Sequence, residues 1–206
     1  MLEPADWLKV DVRSGAGRSL KAPLFRAIGV KKGYRPRVLD ATAGYGIDAW
    51  LMAASGCEVI AAERVAEVYK ALEKSHAAAR EVEPETAGRI TLRFGEALDV
   101  MRDVAAVDVI YMDPMFAAER KAAPKRAMVE LAEAVGGEAD IDEVGRVAAA
   151  GLRIARRRVV IKRAARASAI KLPDGRAADV VYQGRGFRFD VYVNKWPDTS
   201  GVLFGQ

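Results

Sequence analysis

From residue 37 onward, short apolar runs alternate with longer amphipathic segments, and this alternation is the feature that most constrains the fold. The short runs are typical of buried strands, and the segments between them favour helices. The pattern predicts an α/β domain with a mostly parallel sheet and crossover helices on its faces. Seven strands are predicted, at 37–41, 57–63, 89–95, 107–113, 157–163, 179–184 and 187–194.

The connections between these strands complete the predicted architecture. Helices are expected at 47–55, 66–82 and 96–104, where few helix-breaking residues occur. Only a short glycine-containing turn separates the last two strands, which predicts a C-terminal antiparallel hairpin. After the fourth strand, the basic first part of 117–140 is predicted to be a mobile active-site loop, followed by a helical stretch that ends at Gly136 and Gly137.

Length and composition favour one domain and exclude several kinds of function. The chain has 206 residues, of which 51% are hydrophobic, and we expect a basic extension at 1–33 packed onto a main domain at 34–206. One cysteine (Cys57, expected in the core) and one histidine (His76) make no metal cluster, so no metal is expected. Without a long apolar segment, we expect a cytoplasmic protein with no secretory signal and no membrane contact.

A glycine-containing turn after the first strand predicts a nucleotide-like ligand. The segment Asp40–Ala49 reads DATAGYGIDA and connects a strand to a helix, with Gly44 and Gly46 where a ligand must approach the backbone. Glu63 ends the second strand, at a distance from the turn that suits hydrogen bonds to ribose hydroxyl groups. These features alone fit either a dinucleotide or another nucleotide-like cofactor.

The end of the fourth strand favours one of these ligands. Its sequence, DPMF, places Asp113, Pro114, Met115 and Phe116 at the edge where open α/β sheets bind ligands. This tetrapeptide resembles the D/N-P-P-Y/F/W signature of amino-group methyltransferases. A carboxylate and a backbone carbonyl can accept hydrogen bonds from an amino group, and an aromatic ring can stack on a base.

Most of the chain resembles one family of enzymes. The stretches RSGAGRSLKAPLFRAIGVKKGY, VLDATAGYGIDAW, GCEVIAAER, VIYMDPMF, RVVIKR and GFRFDVYV resemble ribosomal RNA small subunit methyltransferase J, which forms N2-methylguanine in small-subunit ribosomal RNA. The resemblance implies a Rossmann-like class I methyltransferase fold, with S-adenosylmethionine as the methyl donor and S-adenosylhomocysteine as the product. It implies ribosomal RNA or the small subunit as partner, and no obligate protein partner is expected.

Residue by residue, the resemblance and the turn give a predicted site. Cofactor contacts are expected at Asp40, Gly44, Gly46, Ile47, Asp48, Glu63, Arg64, Gly95, Glu96 and Asp113. Catalysis is assigned to Asp113, Pro114 and Phe116. The formal charge of +5 suits a polyanionic partner, and phosphate contacts are expected at Arg18, Lys21, Lys121, Lys125, Arg126, Lys162 and Arg163.

Three other functions stay open at this point. The acceptor could be another amino group, such as a DNA adenine, a different RNA base or a protein glutamine, since DPMF does not identify the owner of the amine. A Rossmann-type NAD(P) oxidoreductase would need a nicotinamide pocket and a proton-relay residue, and the sequence suggests neither. The third alternative is a noncatalytic RNA-binding protein that has kept a cofactor fold.

Overall fold

The computed structural model describes residues 2–10, 20–115 and 139–195, and within them the chain forms a seven-stranded sheet. The strands are β1 (Val38–Asp40), β2 (Val59–Glu63), β3 (Ile90–Phe94), β4 (Val109–Met112), β5 (Arg158–Ala164), β6 (Val180–Gln183) and β7 (Phe187–Val193). Each lies inside or within one residue of its predicted range, so the strand prediction is confirmed.

The order of the strands is β3-β2-β1-β4-β5-β7-β6. Strands β1 to β5 pair in parallel, and β7 pairs antiparallel with both β5 and β6. The predicted C-terminal hairpin is therefore confirmed, and the fold is a Rossmann-like class I methyltransferase fold. Strands β1, β2 and β4 are buried at every residue, as expected for parallel strands that are covered on both faces.

Six α-helices are described. They are α1 (Pro23–Ile28), α2 (Ile47–Ala54), α3 (Ala66–Val82), α4 (Pro84–Ala87), α5 (Ala97–Asp103) and α6 (Ile141–Leu152), and Trp7–Lys9 forms a short 3-10 helix. The predicted helices coincide with α2, α3 and α5. Helix α6, which leads into β5, was missed by the sequence analysis, although its first turn has a capping signal. Asp140 accepts a hydrogen bond from the Asp142 amide at 3.0 Å.

Alternate residues of the strands enter two hydrophobic clusters, one on each face of the sheet. The first lies under α1, α2 and α3 and includes Val38, Tyr111 and Val160. The second lies under α5 and α6 and includes Leu39 and Ile110. Two helical layers thus cover the sheet and leave the carboxyl ends of the parallel strands as the edge where a site can form.

The N-terminal segment contributes to the first cluster. Trp7 is 1% exposed, and its ring stacks on that of Trp50 with 5.4 Å between centroids. Phe25 and Ile28 of α1 are buried in the same cluster. The division of the chain at residues 33 and 34 stays a prediction, and residues 117–138, with the predicted loop and helical stretch, lie outside the described residues.

Candidate active site

The candidate site lies where the strand order reverses, between the neighbouring strands β1 and β4. The connections after β1 and β4 leave the sheet there, which is where open α/β sheets form a ligand crevice. Asp40 ends β1, and Asp113 follows β4. The Asp113 amide donates a hydrogen bond to the Thr42 hydroxyl oxygen at 2.7 Å, which joins the DPMF segment to the glycine turn.

The glycine turn has a backbone that only glycine adopts easily. Gly44 and Gly46 have φ values of 52° and 75°, in the left-handed region. A Cβ on Gly46 would lie 2.4 Å from the Trp7 ring and 2.5 Å from Leu72. The Trp7 indole N–H also donates to the Tyr45 carbonyl at 2.8 Å. The N-terminal tryptophan therefore fixes the turn from behind and leaves its other side to the crevice.

Glu63 joins the glycine turn to the segment after β2. One carboxylate oxygen accepts a hydrogen bond from the Gly44 amide at 2.9 Å, and the other accepts from the Val65 amide at 2.8 Å. Glu63 is buried, so these bonds replace the water that its charge would otherwise bind. Each oxygen keeps acceptor capacity, which leaves the carboxylate able to accept from a sugar hydroxyl.

The ends of β2 and β3 bring the other predicted cofactor residues together. The Gly95 amide donates to the Glu63 carbonyl at 3.0 Å, and Gly95 has a φ of 144°. Arg64 and Glu96 form an exposed ion pair with 3.6 Å between Nη1 and Oε2. Beside them, Phe94 is 57% exposed, and its ring packs against Tyr69. This end of the crevice therefore offers an aromatic ring and charged side chains to a planar, polar ligand.

The other end of the crevice contains an ion-pair network. The Lys162 ammonium lies 2.7 Å from a carboxylate oxygen of Asp48 and 2.8 Å from one of Asp113. The Tyr111 hydroxyl donates to the same Asp48 oxygen at 2.5 Å. Three elements supply these groups, because Asp48 lies in the first turn of α2, Tyr111 in β4 and Lys162 in β5. Lys162 thus links a residue of the glycine turn to the first residue of DPMF.

Burial and charge act together on the groups of this network. Burial disfavours the charged form of Lys162, but the attraction of Asp113 and Asp48 outweighs it and raises the lysine pKa. Burial, and then the Asp48 charge, raise the pKa of Tyr111 well above its usual value. Burial raises the pKa of Asp40 well above its usual range, and the Asp48 charge raises it further. Lys162 is therefore the cation that balances a group of acidic side chains.

The predicted phosphate contacts have varied surroundings. Lys162 lies in the crevice with a side chain that is 25% exposed, and Lys21 is exposed on the surface. Arg163 is 4% exposed and donates to the Ser168 carbonyl at 3.0 Å, so a phosphate contact would need the end of β5 to rearrange. Four of the predicted residues lie outside the described part of the chain: Arg18, Lys121, Lys125 and Arg126.

Phe116, the predicted stacking residue, also lies outside the described residues, whereas Pro114 and Met115 are partly buried beside the crevice.

Three residues of the site were not predicted from the sequence: Trp7, Thr42 and Tyr111. Thr42 lies within the glycine-turn motif, and its hydroxyl group, which can hydrogen-bond a neighbouring loop, could have indicated its role. The roles of Trp7 and Tyr111 depend on contacts across 38 and 63 residues, which no local pattern carries.

The described residues contain no group of histidine, cysteine, aspartate and glutamate side chains that could hold a metal ion. Cys57 is buried in the core, as expected. His76 lies beside α4, with a ring nitrogen 3.0 Å from the Ala87 carbonyl. No helix in the described ranges is both long and apolar enough to span a membrane.

Comparison with known proteins agrees with this geometry. Residues 6–194 match the model of a family described as "Putative SAM-dependent methyltransferase". The chain is 38% identical over 179 residues to ribosomal RNA small subunit methyltransferase J of Magnetococcus marinus, covering 83% of this chain and 67% of that protein. It is 40% identical over 175 residues to the protein of the same name in Ectopseudomonas mendocina, covering 82% and 65%. The chain thus spans about two thirds of the length of these relatives.

A solved structure supports the same placement. The crystal structure of a SAM-dependent methyltransferase from Neisseria gonorrhoeae has a TM-score of 0.61 and 30% sequence identity, covering 80% of this chain and 68% of that one. The fold, the site between β1 and β4 and these matches agree. The chain belongs to the SAM-dependent methyltransferase family, among the relatives named ribosomal RNA small subunit methyltransferase J.

Proposed function

We propose that this protein transfers a methyl group from S-adenosylmethionine to the exocyclic N2 amine of a guanine in small-subunit ribosomal RNA. The observation that carries the proposal is the position of Asp113, whose amide is bound to Thr42 of the glycine turn and whose carboxylate is held by Lys162. The DPMF segment, the proposed amine-binding motif, therefore borders the glycine turn directly. The substrate follows from the relatives, whose name specifies small-subunit ribosomal RNA.

The residues of the crevice fit S-adenosylmethionine. Glu63 lies where a carboxylate can accept hydrogen bonds from ribose hydroxyl groups, and Gly44 and Gly46 leave the turn free of side chains. The cofactor carries a sulfonium group, an ammonium group and one carboxylate, so its net charge is positive. Asp48 and Asp113 share the cation Lys162, with Asp40 close to them, so the crevice suits a positively charged ligand.

The remaining predicted cofactor residues line the same edge. We assign Glu63 and Arg64 to the ribose side, Gly95 and Glu96 to the base side, and Ile47 with Asp48 to the amino-acid side of the cofactor. Bound there, S-adenosylmethionine would supply an electrophilic methyl group for transfer. Cofactor binding then leaves the DPMF side of the crevice for the acceptor base.

Asp113 and Pro114 are proposed to hold the acceptor amine. The Asp113 carboxylate and the Pro114 carbonyl accept the two N–H bonds and direct the nitrogen lone pair at the methyl carbon. With the cofactor bound, a nitrogen–carbon bond would form as the carbon–sulfur bond breaks and S-adenosylhomocysteine leaves. The amine would then lose one proton to Asp113 or to water. Phe116 is proposed to stack on the base. No covalent bond to the protein is needed.

The RNA must present the target base unstacked, because an amine inside a stacked helix cannot reach the methyl group. Basic side chains are proposed to hold the flanking phosphates. These are Arg18, Lys21, Lys121, Lys125 and Arg126, with Lys162 and Arg163 as predicted contacts nearer to the crevice.

The proposal is tested by methyl transfer from tritiated S-adenosylmethionine to naked ribosomal RNA, intact small subunits and DNA, followed by nucleoside analysis. We expect label in N2-methylguanine of small-subunit RNA and none in DNA. Asp113→Ala should remove the activity while the protein stays folded. Label in N6-methyladenine or in protein would assign a different amino acceptor. Binding of S-adenosylmethionine without transfer to any acceptor would support the noncatalytic alternative.

A further inference from the structure

A second feature of the molecule is a basic cleft away from the crevice, between the carboxyl end of α1 and the beginning of β5. The cleft has a volume of about 260 Å³. Four cationic side chains and two tyrosine rings line it: Arg26, Lys31, Arg157, Arg158, Tyr34 and Tyr182. None of these residues belongs to the predicted site. We refer to these six residues as the α1–β5 cleft.

The charges of the α1–β5 cleft are largely unbalanced. Within residues 2–10, 20–115 and 139–195, Arg26, Lys31 and Arg158 have no carboxylate within 4 Å. Arg157 lies 3.8 Å from Asp108. Four like charges around one concave surface create a positive potential that attracts anions. An anionic ligand is therefore the chemistry that this cleft fits.

Two of the guanidinium groups lie over tyrosine rings. The Arg26 guanidinium carbon lies 4.7 Å from the centre of the Tyr182 ring, and that of Arg157 lies 4.7 Å from the centre of the Tyr34 ring. Stacking holds the plane of a guanidinium group and leaves its N–H edges available. Arginine groups presented in this way match the paired oxygens of a phosphate.

The glycine that ends α1 also makes room for one arginine of this cleft. Gly29 ends the helix with a φ of 84°, and a Cβ there would lie 3.2 Å from the guanidinium carbon of Arg158. The absence of a side chain lets Arg158 lie against the helix end, where it donates to the Ala27 carbonyl at 3.1 Å. Arg158 is thus held at the floor of the cleft by the carboxyl end of α1.

The sheet places this cleft within reach of the same RNA. Arg158 and Lys162 are four residues apart on β5 and point to the same face, about 13 Å apart along the strand. Tyr182 lies in the row of Lys162, two strands away, since Lys162 pairs with Phe189 and Phe189 with Tyr182. A nucleic-acid strand whose target base enters the crevice can therefore continue across the cleft.

We infer that the α1–β5 cleft binds backbone phosphates of the substrate RNA, away from the target nucleotide. This inference rests on the proposed function, which identifies the bound nucleic acid as small-subunit ribosomal RNA. The tyrosine rings support the arginine side chains that lie over them, and the phosphate oxygens accept hydrogen bonds from the guanidinium N–H groups. The cleft contributes affinity and orientation and leaves methyl transfer to the crevice.

The test replaces three exposed cations of the cleft in one variant, Arg26→Gln, Lys31→Gln and Arg157→Gln. A matched control removes the same charge from the exposed side of α3, near the opposite edge of the sheet, with Lys70→Gln, Lys74→Gln and Arg80→Gln. Binding of small-subunit ribosomal RNA is measured over a series of KCl concentrations. Calorimetry with S-adenosylmethionine checks that each protein keeps its cofactor site.

The expected result follows from counterion release. Each phosphate contact on a single strand contributes about 0.7 to the slope of log affinity against log salt, so three contacts should reduce the slope by about 2. Affinity at moderate salt should fall by about tenfold or more. The α3 control should keep the wild-type slope. Single-turnover methylation at saturating RNA and cofactor should be unchanged in both variants.

Several outcomes would overturn the inference. They are an unchanged slope in the cleft variant, an equal loss in the α3 control, and competition by inorganic phosphate or a mononucleotide as effective as competition by RNA. A cleft variant that keeps its affinity for naked RNA but loses binding to intact small subunits would assign the cleft to an acidic protein surface instead. Failure of the proposed function looks different, because wild-type protein would then methylate no ribosomal RNA.

Discussion

Replacing Lys162 by methionine tests the ion-pair network most directly. Methionine keeps much of the length and apolar stem of lysine and removes only the ammonium group. The substitution leaves Asp48 and Asp113 without their shared cation, while the Tyr111 hydroxyl remains bound to Asp48. We expect the variant to fold, to keep its cofactor and to transfer methyl groups slowly.

The magnitude follows from the geometry. A hydrogen bond to a charged group contributes about 1.5 to 3 kcal/mol when one partner is lost. The side chain of Lys162 is 25% exposed and that of Asp113 is 42% exposed, so water screens part of their attraction and the lower half of this range applies. At about 1.4 kcal/mol for each tenfold, loss of the Asp113 contact should slow methyl transfer by about 10-fold to about 40-fold.

The loss should depend on pH in a defined direction. A carboxylate that loses a neighbouring cation is protonated more easily, so its pKa rises. The acids Asp40 and Asp48 lie close to Asp113, and the repulsion between these side chains disfavours negative charge at this edge in the same way. Because the ionised carboxylate is the form that accepts the amine protons, Lys162→Met should be most impaired at low pH. Its rate should recover as the pH rises.

Single-turnover methylation over a pH series measures this effect, together with calorimetry for S-adenosylmethionine. Removing a cation should not weaken the affinity for a cationic cofactor. Lys162→Arg should restore part of the rate, and Lys70→Met serves as an exposed control. A wild-type rate at every pH would refute the positioning role. A reduced salt slope for RNA binding with an unchanged rate would show that Lys162 contacts phosphate instead.

The other contacts give three further predictions. Glu63→Ala should weaken S-adenosylmethionine binding by about 1.5 to 3 kcal/mol, measured by calorimetry on protein shown to be folded, and wild-type affinity would contradict the assigned cofactor orientation. Gly46→Ala should lower the free energy of unfolding by about 2 to 4 kcal/mol in urea, whereas Gly33→Ala, which has a similar φ and no atom within 4 Å of the new Cβ, should cost less. Equal losses would show that φ alone matters. Tyr111→Phe should cost about 1 kcal/mol of stability by removing one donor from Asp48, and an unchanged urea midpoint would count against that bond.

The sequence predicted the sheet well because the strand signal was local. Strands β1, β2 and β4 are buried on both faces and therefore appear as short apolar runs, which in β1 and β2 end at an acidic residue. The hairpin of β6 and β7 followed from the shortness of its turn. Helix α6 was missed because Gly145 and Gly151 interrupt its pattern. Gly151 lies against Val159 and Ile110, where a side chain would crowd the sheet, and only the packing shows this.

The site was predictable where a motif places a residue at the end of a strand. Asp40 and Glu63 end β1 and β2, Asp113 follows β4, and parallel strands bring their carboxyl ends to one edge. The surroundings of Lys162 were not predictable in the same way. In the sequence, Lys162 was only a cation near the end of a predicted strand, and it was therefore predicted to contact phosphate.

The position of Lys162 follows from the order of the strands together with the side of the sheet to which it points. Strand β4 lies between β1 and β5, so Asp113 at its end has the glycine turn on one side and β5 on the other. Lys162 shares a face with Val160, which packs in the cluster under α2, and it therefore points toward Asp48 in the first turn of that helix. Arg163, the next residue, points to the other face and is buried there. A shift of one residue in the register of β5 would exchange the two, leaving the carboxylates beside an arginine with a different length and geometry. The pairing of β4 with β5, Met112 opposite Ile161, thus determines which cation reaches Asp113.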